Sequence, residues 1–464
     1  MNKLILVLII LFSSTIVFSQ QIEGTWNGNL EVQPGRKILF IFQISNVAGK
    51  METEISIPSQ GIKGIKPVLT TLDRGTLFID AANVGFKYSG SFNQNSSLIE
   101  GIFQEGLNKV PLTLSKEIIV DIKLNRPQEP IKPYPYDEEE VRIENKKDKI
   151  ILAGTLTLPK TSIKNPPVVI LISGSGPQDR DESFAGHKPF LVLADYLTRN
   201  GIAVLRYDDR GFGSSTGDFS NATTADFAND VLSVIDFLNK RKDINTAKIG
   251  LIGHSEGAII APMVANTSKD IAFIVMLAGT GILGKEVSLT QAIDYRNFAV
   301  PDEQQYRTYV KNAIEIASSD KEHELIKSEL TTFYQNSAIL ASMLPADANK
   351  EEFIENLVAT RTTPWIKYFY NYNPATEIKK LNIPAFVLYG GNDTQVPPKY
   401  HLEPVKKALS DSKSKDYEVV LLERLNHLFQ ESKTGHISEY TQIEETFAPK
   451  ALQMILSWVK KQTI

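Results

Sequence analysis

The sequence predicts an α/β protein in which helices cover both faces of a mostly parallel sheet, with a helical insertion and a small all-β domain in front of it. Three observations favour this fold class. Short apolar runs separated by Gly, Asn and Pro clusters continue to about Ser115, as antiparallel strands and turns do. Beyond Val141, continuous apolar runs alternate with helical stretches, which is typical of parallel strands buried on both faces. The interval from about 283 to 378 has helical, charged segments and no clear strand.

Composition narrows the possible functions. The chain has 464 residues, enough for one large α/β domain and a smaller one. Its formal net charge of -4 leaves no basic excess to neutralise a nucleic acid backbone, so we expect no nucleic-acid partner. The chain contains no cysteine, which excludes thiol catalysis, disulfides and Cys-ligated zinc.

Residues 1–20 have the layout of a secretory signal peptide. Lys3 gives a positive start, Leu4 to Phe12 are all apolar, and small or polar residues surround a cleavage site near Ser19 or Gln20. The apolar run is shorter than the roughly 20 residues of a membrane span, which makes an uncleaved anchor the weaker alternative. We therefore expect an exported protein, periplasmic or secreted, with no integral membrane span after cleavage.

Residues 21–115 are predicted to form a small barrel or sandwich of short strands, such as Thr76-Leu77-Phe78-Ile79. The segment Gly24-Thr25-Trp26 resembles the start of lipocalin-like barrels. A stabilising or spacing role and a role in binding a ligand or partner are both open. Residues 116–140 are predicted to be a linker, because four prolines favour extended backbone and the acidic run from Asp137 to Glu140 favours solvent.

The segment 141–464 is predicted to be the catalytic domain. Buried strands are expected at 150–152, 168–172, 202–205, 248–252, 271–277, 384–388 and 417–422. Helices are expected at 190–199, 224–239 and 258–265. The helical insertion at about 283–378 is expected to lie above the sheet as a lid.

Gly253-His254-Ser255-Glu256-Gly257 matches the pattern G-x-S-x-G of a nucleophilic serine. That chemistry needs a strand that ends in a very tight turn and leads at once into a helix, so that the hydroxyl projects above the sheet. Small residues two before and two after the serine avoid a clash. The apolar run Ile249 to Ile252 and the helical Ala258 to Ala261 supply that context, so Ser255 is the predicted nucleophile and His254 is expected to be structural.

Three other glycine motifs fit their functions less well. Gly213-Ser214-Ser215-Thr216-Gly217 has the same serine pattern, but neither a strand nor a helix adjoins it. Gly279 to Gly284 matches the dinucleotide pattern G-x-G-x-x-G, but the insertion follows where the next strand should come. With Lys285 this segment nearly forms a phosphate-binding loop, yet Glu286 stands where a Ser or Thr would bind magnesium. We expect no cofactor and no metal.

A serine nucleophile needs a general base, and in this arrangement the base follows the serine and the acid in the chain. His401, His427 and His436 are the histidines left once those before the nucleophile, in the elbow or in the insertion are set aside. His427 is favoured because it lies in the loop directly after the predicted strand Tyr417 to Leu422, where it would hang over Ser255.

The predicted acid is Asp393, at the exit of the strand Pro384 to Tyr389, where a carboxylate can fix the tautomer of the imidazole. An oxyanion hole needs two N–H groups aimed at the developing negative charge. We expect one from Glu256, at the start of the nucleophile helix, and the other from Ser175, in the loop after the strand Val168 to Ser173.

These motifs together resemble bacterial α/β-hydrolases of the esterase and serine-aminopeptidase-like group, over residues from about 141 to the C terminus. The segments that carry the resemblance are Ser173 to Asp181, Asp209 to Gly213, Gly253 to Gly257, Thr363 to Trp365, Gly391 to Pro398 and Asn426-His427. The resemblance implies an α/β-hydrolase fold, a triad at Ser255, Asp393 and His427, and no cofactor. The sequence departs from the group at Ser173, where a histidine usually precedes the oxyanion-loop glycine.

The predicted function is hydrolysis of a carboxylic ester through an acyl-enzyme. Cleavage of a short peptide or an amide by the same triad is the first alternative, since both reactions need the same machinery. A second alternative is a ligand-binding protein on an inactive hydrolase scaffold, although no triad residue is missing. The expected partner is a small-molecule ester or a short peptide.

Overall fold

The computed structural model describes residues 22–463 apart from short gaps at 34–35, 59–61, 82–84, 106–107, 118–124, 161–163, 295, 297–299, 301 and 345–348. The predicted signal peptide at 1–20 lies outside the described residues. The chain divides into two compact units. The first holds the described residues of Met1–Leu124, together with Phe184–Gly186 and the described residues of Leu344–Asn356, and the second holds the rest.

The first unit consists mainly of two antiparallel sheets. Its strands are β1 (Gly24–Gln33), β2 (Arg36–Val47), β3 (Lys50–Ile57), β4 (Ile62–Ile65), β5 (Leu69–Asp73), β6 (Thr76–Ala81), β7 (Phe86–Asn93), β8 (Leu98–Glu105) and β9 (Asn108–Leu114). Strands β1–β4 form one sheet and β5–β9 the other, each in chain order. Their inward side chains share one core that includes Trp26, Phe42 and Tyr88. Asn27 of β1 pairs with Ser115, next to β9, and this pairing joins the two sheets.

The second unit is built on an eight-stranded sheet. Its strands are β10 (Tyr136–Asn145), β11 (Ile150–Pro159), β12 (Val168–Ile172), β13 (Ala203–Tyr207), β14 (Ile249–His254), β15 (Ile271–Leu277), β16 (Ala385–Gly390) and β17 (Tyr417–Leu422). The spatial order is β10-β11-β13-β12-β14-β15-β16-β17. Strands β10 and β11 run antiparallel to their neighbours, and the six strands from β13 to β17 are parallel.

Helices follow most of the parallel strands. They are α1 (Pro189–Arg199), α2 (Thr224–Leu238), α3 (Glu256–Thr267), α4 (Gly284–Asp294), α5 (Glu303–Ala317), α6 (His323–Gln335), α7 (Ala338–Met343), α8 (Lys350–Arg361), α9 (Pro364–Asn371), α10 (Pro374–Ile378), α11 (Pro398–Ser410) and α12 (Pro449–Thr463). Alternate residues of β12 enter opposite cores, because successive side chains of a strand point to opposite faces. One core includes residues of α2, α3 and α11, and the other includes residues of α1 and α12. The predicted α/β fold class is thus confirmed, with helices α4–α10 inserted between β15 and β16.

The predicted linker at 116–140 ends earlier than expected. Tyr136 to Glu140 form the first half of β10 and pair with β11, so they belong to the large sheet. The acidic residues there meet arginines: Glu139 lies 2.7 Å from Arg241, and Glu140 lies 2.5 Å from Arg180. Asp137 to Glu140 are all exposed, so neither face of this part of the strand packs in the core. Charged side chains are common on strands at the edge of a sheet.

The parallel strands end at one edge of the sheet, and the loops that follow β12, β14, β16 and β17 carry the predicted site residues. Among the described residues, no helix combines the length and apolarity needed to cross a bilayer. Within the same residues, no group of three His, Asp or Glu side chains is arranged to hold a metal ion.

Candidate active site

Ser255 stands in a tight turn between β14 and α3. Its backbone has φ 53°, in the left-handed region that non-glycine residues rarely occupy. The Ser255 N–H donates to the carbonyl oxygen of Leu277 at 2.8 Å, which fixes the turn to the end of β15. The strain of this conformation is held by its surroundings, as is usual where a side chain must be presented for chemistry.

Two glycines make this turn possible. A Cβ at Gly253 would collide with the carbonyl oxygen of Gly257, and a Cβ at Gly257 would collide with the carbonyl oxygen of Ile172 in β12. Each of these neighbours is backbone and cannot rotate away. Both glycines of the G-x-S-x-G pattern are therefore required by close backbone packing.

Asp393 and His427 form a buried pair at the ends of β16 and β17. The Nδ1–H of His427 donates to Oδ2 of Asp393 at 2.7 Å. The other carboxylate oxygen accepts the N–H groups of Gln395 and Val396, both at 2.8 Å. Burial alone would raise the pKa of Asp393, but the neighbouring imidazole and the two N–H donors bring it below its ordinary value of 3.8. The carboxylate is therefore ionised, and it orients the imidazole.

The loop that carries His427 is shaped by the residue before it. The Asn426 side-chain oxygen accepts the N–H groups of Leu428 and Gln430 at 3.0 and 2.9 Å. Phe429 adopts φ 60°, so the chain turns back sharply after the histidine. Asn426 and Gln430 are fully buried, and their side chains bond to each other at 2.9 Å.

The turn at Ser255 and the loop at His427 meet through His254. The Nε2–H of His254 donates to the carbonyl oxygen of His427 at 2.9 Å, and the two imidazole rings lie 4.7 Å apart between centroids. His254 thus connects the turn that carries Ser255 to the loop of the Asp393–His427 pair. The assignment of the three residues as a triad stays a prediction.

The predicted oxyanion donors are Glu256, which directly follows Ser255, and Ser175, in the loop after β12. Glu256 is the first residue of α3, where backbone N–H groups have no partner within the helix. Ser175 follows Gly174, whose Cα approaches the turn so closely that a Cβ there would lie 3.2 Å from the Cβ of Ser255. The exposed Ser175 is thus next to the nucleophile turn, and its role as an N–H donor stays a prediction.

Ser173, where the resembling group usually has a histidine, is hydrogen-bonded to a buried aspartate. Its hydroxyl donates to Oδ1 of Asp209 at 2.8 Å, and Oδ2 of Asp209 accepts the N–H of Gln178 at 2.9 Å. Asp209 therefore holds both ends of the loop between residues 173 and 178. Burial raises the pKa of Asp209 well above its ordinary value, although the Ser173 and Gln178 hydrogen bonds oppose this.

The Glu256 side chain points away from solvent and links α3 to two other helices. Its Oε1 accepts the hydroxyl of Thr224 at 2.6 Å and the indole N–H of Trp365 at 2.7 Å. Burial raises the pKa of Glu256, an effect that these two hydrogen bonds only partly offset. Trp365 also stacks on Phe369 at 5.1 Å, and it packs at the edge of the hydrophobic core.

The alternative glycine motifs have structural explanations. The Ser215 hydroxyl donates to the carbonyl oxygen of Asp208 at 2.7 Å and accepts the N–H of Ala153 at 2.9 Å. Both partners are backbone groups, so this hydroxyl stabilises the loop. A Cβ at Gly281 would lie 2.7 Å from the carbonyl oxygen of His401, and one at Gly284 would collide with backbone of α9. The glycines of that segment therefore serve close packing.

The two other candidate histidines, His401 and His436, make different contacts. His401 is buried in α11 and accepts the N–H of Gly281 at 3.1 Å. His436 accepts the N–H of Ser438 at the start of a short 3₁₀ turn. The hydrogen bond to Asp393 is made by His427.

One residue of this site was missed by sequence reasoning. The Glu182 carboxylate accepts both the Nδ1–H of His254 at 2.8 Å and the N–H of Gly174 at 2.9 Å. Glu182 directly follows the segment Ser173 to Asp181 that carries the family resemblance, and this adjacency was the one available signal.

Comparison with known proteins gives one family match and several similar proteins. The model of the X-Pro dipeptidyl-peptidase (S15) family matches residues 148–423. Esterase EstD from Thermotoga maritima is 28% identical over 302 residues, which cover 64% of this chain and 61% of EstD. An acyl transferase from Shewanella woodyi is 35% identical over 151 residues, which cover 32% of this chain and 45% of the transferase. The matched stretches therefore span less than two thirds of either relative. The solved structure of the Pyrococcus furiosus esterase Pf2001 aligns with 74% of this chain and 100% of its own at 16% identity, with a TM-score of 0.44.

Proposed function

We propose that this chain, which belongs to the X-Pro dipeptidyl-peptidase (S15) family of α/β-hydrolases, is a serine hydrolase that cleaves carboxylic esters. The observation that carries the proposal is the buried Asp393–His427 pair, whose histidine backbone is hydrogen-bonded to the residue before Ser255. An ionised carboxylate, an oriented imidazole and a serine in a strained turn are the parts that acyl transfer needs.

In the proposed reaction, the Ser255 hydroxyl attacks the ester carbonyl while His427 Nε2 takes its proton. The N–H groups of Glu256 and Ser175 stabilise the negative charge on the tetrahedral oxygen. His427 then gives the proton to the leaving alcohol, and an acyl-enzyme remains on Ser255. Water, activated by the same imidazole, releases the acid and restores the serine. Asp393 keeps the proton on Nδ1 throughout, so that Nε2 faces the serine as an acceptor.

Peptide or amide cleavage is the second candidate. The family match favours it, because the family is named after a dipeptidyl-peptidase. The similarity to EstD, an esterase, favours the first candidate. The same triad serves both reactions, so the leaving group decides between them. We further propose that the protein is exported with its first 20 residues removed, and that helices α4–α10 act as a lid over the site.

The experiment has two arms. A fluorophosphonate probe should label the wild-type protein, and Ser255→Ala should abolish labelling and lower kcat by about 10⁴-fold or more. Ser215→Ala is the matched control, because Ser215 lies in the same sequence pattern but should keep the label. Wild-type protein that takes no label would indicate a binding protein and overturn the proposal.

The second arm compares aryl esters of graded acyl length with aminoacyl and X-Pro anilides. We expect kcat/KM for the best ester to exceed that for every anilide. Anilide turnover above ester turnover would replace the esterase assignment with the peptidase.

A further inference from the structure

A second buried histidine–carboxylate pair lies beside the proposed triad. The Nδ1–H of His254 donates to Glu182 at 2.8 Å, and the exposed fractions of the two side chains are 7% and 4%. The His254 ring lies 4.7 Å from the ring of His427. The reaction described above makes no use of this pair, although burying a charged pair costs free energy unless its hydrogen bonds are well satisfied.

The pair contacts three separate segments of the site. Oε1 of Glu182 accepts the N–H of Gly174, which immediately precedes the predicted oxyanion donor Ser175. His254 immediately precedes the predicted nucleophile in the turn after β14. Its Nε2–H donates to the carbonyl oxygen of His427 at 2.9 Å. One carboxylate and one imidazole therefore connect the oxyanion loop, the nucleophile turn and the base loop.

Both ring nitrogens of His254 face acceptors, a carboxylate on one side and a carbonyl oxygen on the other. Since each acceptor needs a hydrogen, the two bonds exist together only when the ring carries two protons. A neutral ring has one proton and can make one of these bonds. The geometry therefore indicates that His254 is an imidazolium when the three segments are connected.

The surroundings of His254 favour that charge. Burial lowers its pKa, but the Glu182 carboxylate, the His427 carbonyl oxygen and the more distant Asp393 raise it, and the balance lies above the ordinary 6.5. The titratable groups around the ring are Glu182, Asp393 and His427, and the edge of Phe429 closes another side at 6.4 Å between centroids.

We propose that Glu182 and protonated His254 are positioning residues, which hold the oxyanion loop and the base loop in register with the nucleophile turn. This inference rests on the proposed serine hydrolase function. When His254 loses a proton to solvent, the remaining one stays on Nδ1, because a carboxylate is a stronger acceptor than a carbonyl. The bond to the His427 carbonyl is then lost, and the base loop is held less firmly. Activity should therefore fall as pH rises through the pKa of His254.

The test measures kcat and KM against pH for the wild type and for Glu182→Gln. Glutamine keeps the volume and an oxygen to accept the Gly174 N–H, but it removes the charge that protonates His254. We expect the alkaline limb of kcat to move to lower pH by one unit or more, and kcat at neutral pH to fall about tenfold, with little change in KM. His254→Gln carries both of its N–H donors on one nitrogen, so it cannot take the place of the two separate ring nitrogens. It should lower kcat similarly and remove this alkaline limb.

His187→Gln is the matched control. His187 is also buried between two partners, Thr446 and the carbonyl oxygen of Tyr440, but burial lowers its pKa to about 4. Its replacement should lower thermal stability and leave the alkaline limb in place.

A measurement on the unaltered protein covers the case in which the variants fail to fold. In ¹⁵N-histidine NMR spectra at about pH 6, His254 should show protons on both ring nitrogens, and a single protonated nitrogen would overturn the inference. A folded Glu182→Gln enzyme whose kcat keeps an unchanged alkaline limb would also overturn the inference, provided that Ser255→Ala is inactive. An active, probe-labelled Ser255→Ala protein would instead overturn the proposed function.

Discussion

Asp393 shows how a single side chain acquires its chemistry from its neighbours. It is buried, yet its pKa lies below the ordinary value because His427 and two backbone N–H groups stabilise the carboxylate. Gln395 and Val396 donate those bonds from a turn that immediately follows the aspartate. The side chain is therefore oriented by its own loop as well as by the imidazole, and it is the residue that chain order predicts as the acid.

Asp393→Asn should lower kcat by about 10⁴-fold at neutral pH, because an amide in this position stabilises the wrong tautomer of His427. A group with a lowered folded-state pKa stabilises the fold above its unfolded pKa, and that contribution is lost as pH falls through the folded value. The difference in melting temperature between wild type and variant should therefore shrink from neutral towards acid pH. Steady-state kinetics and thermal melting at several pH values measure both effects.

Asp411→Asn is the control for this substitution, since Asp411 is a surface residue at the end of α11 that pairs with Lys407. It should leave kcat unchanged. Equal kinetic losses in the two variants would contradict the role given to Asp393.

Between elements, α9 of the helical insertion contacts α3, the helix that follows Ser255. The indole N–H of Trp365 reaches the buried carboxyl of Glu256, the residue directly after Ser255. Thr224, the first residue of α2, bonds to the same oxygen. Three helices therefore meet at one carboxyl group, close to the predicted oxyanion donor of Glu256.

Trp365→Phe should lower the free energy of unfolding by about 1–3 kcal/mol, because it removes a hydrogen bond to a buried carboxyl group and trims a packed ring. Trp458→Phe is the matched control. Trp458 stacks on Phe386 at 5.0 Å, and its indole nitrogen has no hydrogen-bond partner among the described residues. Denaturant unfolding of both variants measures the difference. Equal losses would show that ring volume, rather than the bond to Glu256, accounts for the effect.

For the whole molecule, the main division is between a mainly β unit and a unit built on the large mixed sheet, with separate cores. The core that includes Trp26 and Tyr88 shares no residue with the two cores that cover the faces of the large sheet. The proposed catalytic residues lie on loops at one edge of the large sheet. Export, in contrast, is proposed from the first 20 residues, because their charge and hydropathy pattern is that of a signal peptide.

Expression in a Gram-negative host should yield a mature protein that begins near Ser19 or Gln20 and lies outside the cytoplasm, as measured by mass spectrometry of the periplasmic and culture fractions. Leu8→Arg interrupts the apolar run and should leave an uncleaved protein in the cytoplasm. A wild-type protein that keeps Met1 and sediments with membranes would favour the anchor.

Much of the fold could be predicted from the sequence. The runs Val168–Ile172 and Ile271–Leu277 coincide with β12 and β15, because strands buried on both faces must be continuously apolar. The start of β10 was assigned to the linker, since its acidic residues look solvated until the arginines of other segments are brought beside them.

The sequence by itself determined seven of the eight strands of the large sheet, the turn at Ser255 and the choice of Asp393 and His427 as a pair, since local patterns and chain order specify them. Only the tertiary structure decided how the site is held together. Glu182 and His254 are separated by 72 positions, and no local pattern reveals that their side chains meet. Ser173 and Asp209, 36 positions apart, likewise find each other only in the folded chain. Buried hydrogen bonds of this kind depend on which segments the sheet brings together, and local sequence does not encode that placement.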